Sequence, residues 1–151
     1  MGNFPYNISS QILFYILKYR KYIPECIGMF QKEVAKRIIS KKGNKSYGIL
    51  SIFIQAYYKV EYLFSVKKKF FSPIPKVKGA VLRLTRKKKK INCNEKLFFN
   101  IVKTAFKQRR KIIKNSLKYF NISFLKKSIL KKRSEQLSIK DFIFIVNNIS
   151  L

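Results

Sequence analysis

The sequence predicts an α/β portion over residues 1–90 followed by a small all-α domain over residues 91–151. Three observations predict this division. Lys59–Val66 alternates with period two, Gly79–Thr85 is a second strand candidate, and after Lys87–Lys90 the apolar residues recur at helical spacing.

Taken in order, Asn3-Phe4-Pro5-Tyr6-Asn7 reads as a turn, after which Ser9 or Ser10 caps a helix. Ile8, Ile12, Leu13, Ile16 and Leu17 supply its apolar face, and Pro24 stops it. Cys26–Phe30 is a short apolar run, expected as a buried strand. Lys32–Ser40 fits a helix with Val34, Ile38 and Ile39 inward. Lys41–Ser46 contains Gly43 and Asn44 and is expected as a polar loop. Tyr47–Tyr58 is apolar nearly all round, the pattern of a buried helix. In the next strand Val60, Tyr62, Phe64 and Val66 should share a face. Pro73 and Pro75 stiffen the loop Phe70–Val77. Beyond residue 91, Leu97, Phe98, Ile101, Val102, Ala105 and Phe106 mark one helix. Ile112–Leu117 and Ile122–Leu130 suggest two more, and Ser138 with Asp141 resembles a capping box for a last one.

Composition limits the chemistry. With no histidine among 151 residues there is no imidazole base, no Ser-His relay and no HExxH metal site. Cys26 and Cys93 are too far apart in sequence for a CxxC motif, and six acids are scattered, so no metal site is expected. No run approaches the ~18 apolar residues of a membrane span. A cytoplasmic location is the expectation, since no signal peptide is visible. Lys+Arg number 35 against 6 Asp+Glu, a net charge of +29, which favours a polyanionic partner such as nucleic acid. Much of the lysine is attributable to codon drift, because Ile, Phe, Tyr and Asn are abundant too. Lys87–Lys90 reads as a solvated loop that adds unspecific phosphate attraction.

Asn3-Phe4-Pro5-Tyr6 is the informative segment. An exocyclic adenine amine is a weak nucleophile because its lone pair is delocalised into the ring. The Asn3 side-chain oxygen and the Pro5 carbonyl, on a short rigid turn, can accept both of its N–H groups and favour a pyramidal nitrogen. Tyr6 can stack on a base flipped from its helix.

Here the sequence resembles the ribosomal RNA adenine N6,N6-dimethyltransferases. Gly2-Asn3-Phe4-Pro5-Tyr6-Asn7-Ile8-Ser9 looks like their catalytic turn, with Phe4 where Leu is usual. Gln31–Arg37, Ser46–Ser51, Phe71–Val77, Phe106–Lys111, Asn115–Leu117 and Arg133–Ser138 are similar to later family segments, in the same order. The resemblance implies the C-terminal half of a Rossmann-like S-adenosylmethionine-dependent methyltransferase domain, followed by a helical rRNA-binding domain. It implies methyl transfer to two adjacent adenines near the 3′ end of 16S small-subunit rRNA, in the 30S particle. It assigns Asn3, Pro5, Tyr6 and Phe71 to the target base, Asn3 also to the methyl donor, and Arg109, Arg110 and Lys111 to rRNA phosphates. Gln31, Glu33 and Arg37 read as structural.

In the family the Gly-rich donor loop lies upstream of the catalytic turn. Gly2, Gly28, Gly43, Gly48 and Gly79 form no GxG. The resemblance therefore implies that an N-terminal half supplies most of the donor pocket, that this chain alone is inactive, and that its sheet keeps an exposed edge; a fragment, a split gene with a separate N-terminal half chain, a decayed gene and a mis-annotated start fit equally. The alternatives are a non-catalytic rRNA-binding assembly remnant and a large-subunit rRNA adenine methyltransferase of the macrolide-resistance type.

Overall fold

The computed structural model describes residues 1–149. Four strands form one mixed sheet: β1 (Gly2–Asn3), β2 (Glu25–Gln31), β3 (Tyr58–Val66) and β4 (Gly79–Arg86), in the order β1-β2-β4-β3. β1 runs parallel to β2, and β4 is antiparallel to both β2 and β3. The helices of the first part are α1 (Ser9–Lys18), α2 (Lys32–Ile39) and α3 (Ile49–Tyr57). α4 (Glu95–Lys107), α5 (Ile113–Ser116), α6 (Lys127–Leu130) and α7 (Ile139–Asn148) follow.

Pleat periodicity assigns the two sheet faces. Phe30 is paired with Ala80, Gly28 with Leu82 and Cys26 with Leu84, so these six residues share one face. Phe30, Ala80, Leu82 and Leu84 are fully buried there. Met29, Val81 and Arg83 alternate onto the other face and are half-exposed. β3 departs from the expected regular alternation. A bulge between Tyr62 and Phe64 places Tyr62 opposite Leu82 but Phe64 opposite Val81, so the two aromatics point to different faces. Tyr62, Leu63 and Phe64 are all exposed along this edge strand.

Several local readings change in the fold. Gly2–Asn3 is a strand rather than the start of a turn, and a 3-10 turn at Tyr6–Ile8 leads into α1. Ser9 does not cap α1: its hydroxyl donates to the carbonyls of Pro5 (3.3 Å) and Tyr6 (3.2 Å). Ile8 and Ile39 are exposed, whereas Ala35 takes the buried place on α2. α1 ends at Lys18, well before Pro24. The expected second and third helices of the C-terminal part shrink to single turns, α5 and α6. The capping box of α7 forms: the Ser138 hydroxyl accepts from the Asp141 amide at 3.1 Å, and the Asp141 carboxylate accepts from the Ser138 amide at 2.8 Å.

The core continues across residue 90. The Phe53 ring of α3 lies 4.3 Å from Phe99 and 6.1 Å from Phe98 of α4, and Phe106 lies 6.2 Å from Phe142 of α7. α4 is thus the shared wall of both parts. Arg–Glu pairs hold its two ends: Arg20 binds Glu95 at its start, and Arg109 beyond its end donates to Glu135 at 2.8 Å.

One close approach fixes the chain's first turn. A Cβ on Gly28 would lie 2.2 Å from Cε2 of Phe4, and one on Gly2 would lie 2.9 Å from its Cε1. The Phe4 ring fills the space that two paired glycines leave, 5.3 Å from Phe30. Gly28→Ala should therefore cost about 1–3 kcal/mol by overpacking. Phe4→Leu in the same chain should recover part of that loss. Urea midpoints of the single and double variants check this.

Candidate active-site cleft and cationic turn

Asn3 ends β1, and the residues after it cross the end of the sheet. Phe4 goes down on the helix-covered face. Tyr6 goes to the other: a Cβ on Gly79 would meet the Tyr6 hydroxyl at 2.7 Å and Met29 Sδ at 3.1 Å. The turn is anchored on both sides of the sheet end by one aromatic each.

Facing it is the loop between β3 and β4. The Lys68 ammonium donates to the Lys76 carbonyl and closes the loop on itself. The Lys32 amide donates to the Lys78 carbonyl at 2.9 Å, tying the loop's end to the start of α2. Between the turn and the loop lies an open cleft of about 230 Å³, lined by Asn3, Phe4, Pro5, Tyr6, Phe71, Ser72, Pro73 and Pro75. Its Phe, Pro and Tyr lining offers flat apolar surfaces of the kind that stack on a planar ring.

The polar equipment of the cleft is sparse. Asn3 is exposed, and its side chain has no hydrogen-bond partner among the described residues, so its amide oxygen is free to accept. The Pro5 carbonyl already accepts from the Ile8 amide and the Ser9 hydroxyl, both at 3.3 Å, the long end of the range for such bonds. The Tyr6 hydroxyl is buried without a partner, and burial pushes its pKa up, so it stays a neutral phenol near neutral pH. No carboxylate lines the cleft. It offers acceptors and flat apolar walls, and no side-chain base.

Arg109, Arg110 and Lys111 lie elsewhere. They sit in the turn after α4 rather than on a helix face. Arg109 is committed: its guanidinium donates to Glu135 and to the Lys45 carbonyl, so it clamps the loop before α3 to the segment before α7. Arg110 and Lys111 are exposed, with no side-chain partner among the described residues. Arg109 also lines a cavity of about 660 Å³ with Glu33, Arg37 and Lys45. Arg37, read from sequence as structural, and Lys45 thereby join the cationic ground around this turn. No spacing in the sequence signals that, because α2 and the loop meet α4 only in three dimensions.

The family model for ribosomal RNA adenine dimethylase matches residues 1–150. The chain belongs to the ribosomal RNA adenine dimethylase family. Among curated relatives, ribosomal RNA small subunit methyltransferase A of Flavobacterium johnsoniae is 56% identical over 152 residues, which cover 99% of this chain and 58% of that protein. The protein of the same name from Bacteroides thetaiotaomicron is 52% identical, covering 98% of this chain and 57% of the relative. The chain thus spans a little over half the length of these relatives. The structure is similar to a dimethyladenosine transferase from Plasmodium falciparum, with a TM-score of 0.82 at 24% identity over 95% of this chain and 63% of that one. It is also similar to the 23S rRNA methyltransferase ErmE, with a TM-score of 0.67 at 21% identity over 97% and 64%. The expected fold class holds: β1 to β4 with their helices form part of a Rossmann-like methyltransferase fold, followed by helices.

The unpartnered Tyr6 hydroxyl gives a direct check on this geometry. Tyr6→Phe removes a buried polar atom that bonds to nothing, so stability should stay level or rise by up to about 1 kcal/mol. Gly79→Ala should lose about 1–2 kcal/mol by collision with that hydroxyl, and most of the loss should vanish in the Tyr6→Phe background. Thermal and urea unfolding of the four chains measure the coupling.

Proposed function

We propose that this chain forms the target-base side of an rRNA adenine N6,N6-dimethyltransferase that uses S-adenosylmethionine and modifies two adjacent adenines near the 3′ end of 16S rRNA. The observation that carries the reading is the single cleft in which the turn residues Asn3, Pro5 and Tyr6 meet Phe71, which lies 65 residues further along the chain than Tyr6. Family membership and relatives named for the small ribosomal subunit support it over the large-subunit alternative.

In this reading Tyr6 and Phe71 bracket a flipped adenine. The Asn3 oxygen accepts one N–H of the amine. The Pro5 carbonyl accepts the other, exchanging one of its long intramolecular bonds for it. The lone pair then stands free for attack. S-adenosylmethionine, when bound, supplies an electrophilic methyl group, and the proton lost by the amine passes to solvent, since no base lines the cleft. Among this chain's residues only Asn3 fits a contact to the donor. No glycine-rich loop occurs in it, so most of the donor pocket is assigned to the part of the family's length that the chain does not span. That part acts as a separate N-terminal half chain or within one polypeptide. Residues 1–90 form the catalytic portion and residues 91–151 the rRNA-binding domain, in which Arg110 and Lys111 meet phosphates while Arg109 orders the turn that presents them. The substrate is the 30S particle, and the setting is the cytoplasm.

The test combines this chain with the N-terminal part of the Flavobacterium johnsoniae relative, methyl donor and small-subunit RNA, and measures dimethyladenine by mass spectrometry. Asn3→Ala should lower the rate about 10²–10³-fold, the usual cost of one preorganised polar contact. Tyr6→Ala should lower it about 10–100-fold through lost stacking, while Tyr6→Phe stays near wild type. RNA binding without any dimethyladenine would leave the chain a non-catalytic assembly remnant and overturn the enzymatic reading.

A further inference from the structure

The basic run Lys87–Lys90 is held more firmly than a free loop. The Lys87 amide donates to the Tyr57 carbonyl at 2.8 Å, and the Lys87 ammonium donates to the Gln55 carbonyl at the end of α3. Five residues on, the Asn92 carbonyl accepts from the Asn147 side chain of α7 at 2.8 Å, and Asn94 caps α4 by accepting from the Leu97 amide at 3.0 Å. Lys88, Lys89 and Lys90 are exposed on a backbone fixed at both ends.

Cavities open on both sides of this strap, and Lys87, Lys89 and Lys90 line both. One, of about 610 Å³, is also lined by Arg20, Lys21 and Arg86. The other, of about 620 Å³, has Lys41, Lys42 and Lys140. Glu95 is the one acid on either wall among the described residues, and Arg20 already pairs with it. Arg86 is fixed by donating to the carbonyls of Arg20 and Lys21. The result is a band of cations with a defined backbone, at the end of the sheet where β2 begins. The base cleft lies at the opposite end. Seven strand residues separate the two, about 20 Å.

We infer that this band is a second RNA site, which grips the sugar–phosphate backbone of the same RNA whose adenine enters the cleft. Its walls hold cations, with Ile91, Ile139 and Ile143 in the second cavity, and no exposed aromatic suited to stacking: Tyr47 is buried, and Tyr57 is only 7% exposed and is covered by the Arg20 guanidinium at 4.5 Å. The site therefore reads phosphate and not sequence. RNA held here and at the cleft wraps past the end of α3. The inference rests on the proposed RNA substrate, but it can fail without it.

The test is the salt dependence of binding of the full chain to single-stranded homopolymer RNA. Each phosphate contact contributes about 0.7 to the slope of log K against log salt. Lys88→Gln, Lys89→Gln and Lys90→Gln together should lower the slope by about 2, equally on poly(U) and poly(A). The triple Arg variant should keep it. Neutralising three exposed lysines outside both the band and residues 91–151, Lys18, Lys36 and Lys59, should change the slope by less than 1. Equal losses in both triple-Gln variants would mean diffuse attraction and overturn the inference. So would an unchanged slope in the strap variant, even if its binding to phosphatidylserine vesicles fell. In either case methylation by the completed enzyme would still decide the catalytic reading separately.

Discussion

The cleft depends on where one ring sits. Phe4 occupies the volume above Gly2 and Gly28, adjacent residues on paired strands, and it can do so because neither has a Cβ. With that ring pinned against Phe30, the backbone at Pro5 has little freedom to pivot, and proline's fixed φ removes more. Tyr6 must then leave on the opposite face, where Gly79 provides the matching gap. Three glycines far apart in sequence thus set the attitude of a four-residue turn. An Ala at any of them puts a methyl group within 2.9 Å of an aromatic side-chain atom. A buried phenol hydroxyl without a partner is a local cost, and the turn retains it because the ring it belongs to forms the wall of the cleft.

Much of this was legible in the sequence, for identifiable reasons. β2, β4, α3, α4 and α7 carry long apolar runs, strict periodicity or strong caps, and each lies close to its expected place. β1 was hidden because two residues have no period; only pairing with Gly28 and Met29 makes them a strand. The face of Phe64 was hidden because a bulge inserts one residue and reverses every side chain after it. α5 and α6 stay single turns, and the first amide of α5, which no residue of that helix can pair, donates instead to the Lys132 carbonyl at 2.7 Å. The residues of the cleft were readable as two motifs, but their meeting was not, since it depends on the loop closure by Lys68 and Lys76.

Charge was legible in amount and not in use. Among the described residues four acids form ion pairs: Glu25 with Arg83, Glu61 with Lys59, Glu95 with Arg20 and Glu135 with Arg109. Asp141 caps α7 instead. Partly exposed pairs of this kind contribute about 0–1 kcal/mol each, so their effect on stability is small. Their placement matters more. The Arg20 and Arg109 pairs clamp the two ends of α4, the helix that joins the sheet part to the C-terminal helices. Of the three cations read from the sequence as RNA contacts, Arg109 is therefore partly structural, and its neighbours Arg110 and Lys111 are the ones without a side-chain partner among the described residues.

An excess of +29 cannot be neutralised internally by six acids, however they are arranged. Self-repulsion of that size works against the compact state, and it is strongest where cations are crowded, at the Lys87–Lys90 strap and around the turn after α4. Salt acts on this in two opposed ways. It screens the repulsion within the free chain and so favours folding, yet it reduces the counterion release that drives RNA association. A bound polyanion replaces screening with direct neutralisation, and by binding only the folded chain it stabilises that state. The same lysines that weaken the fold in isolation are thus the ones through which RNA would strengthen it. If the proposed RNA partner binds in this way, the excess charge has a physical role even where codon drift set its amount.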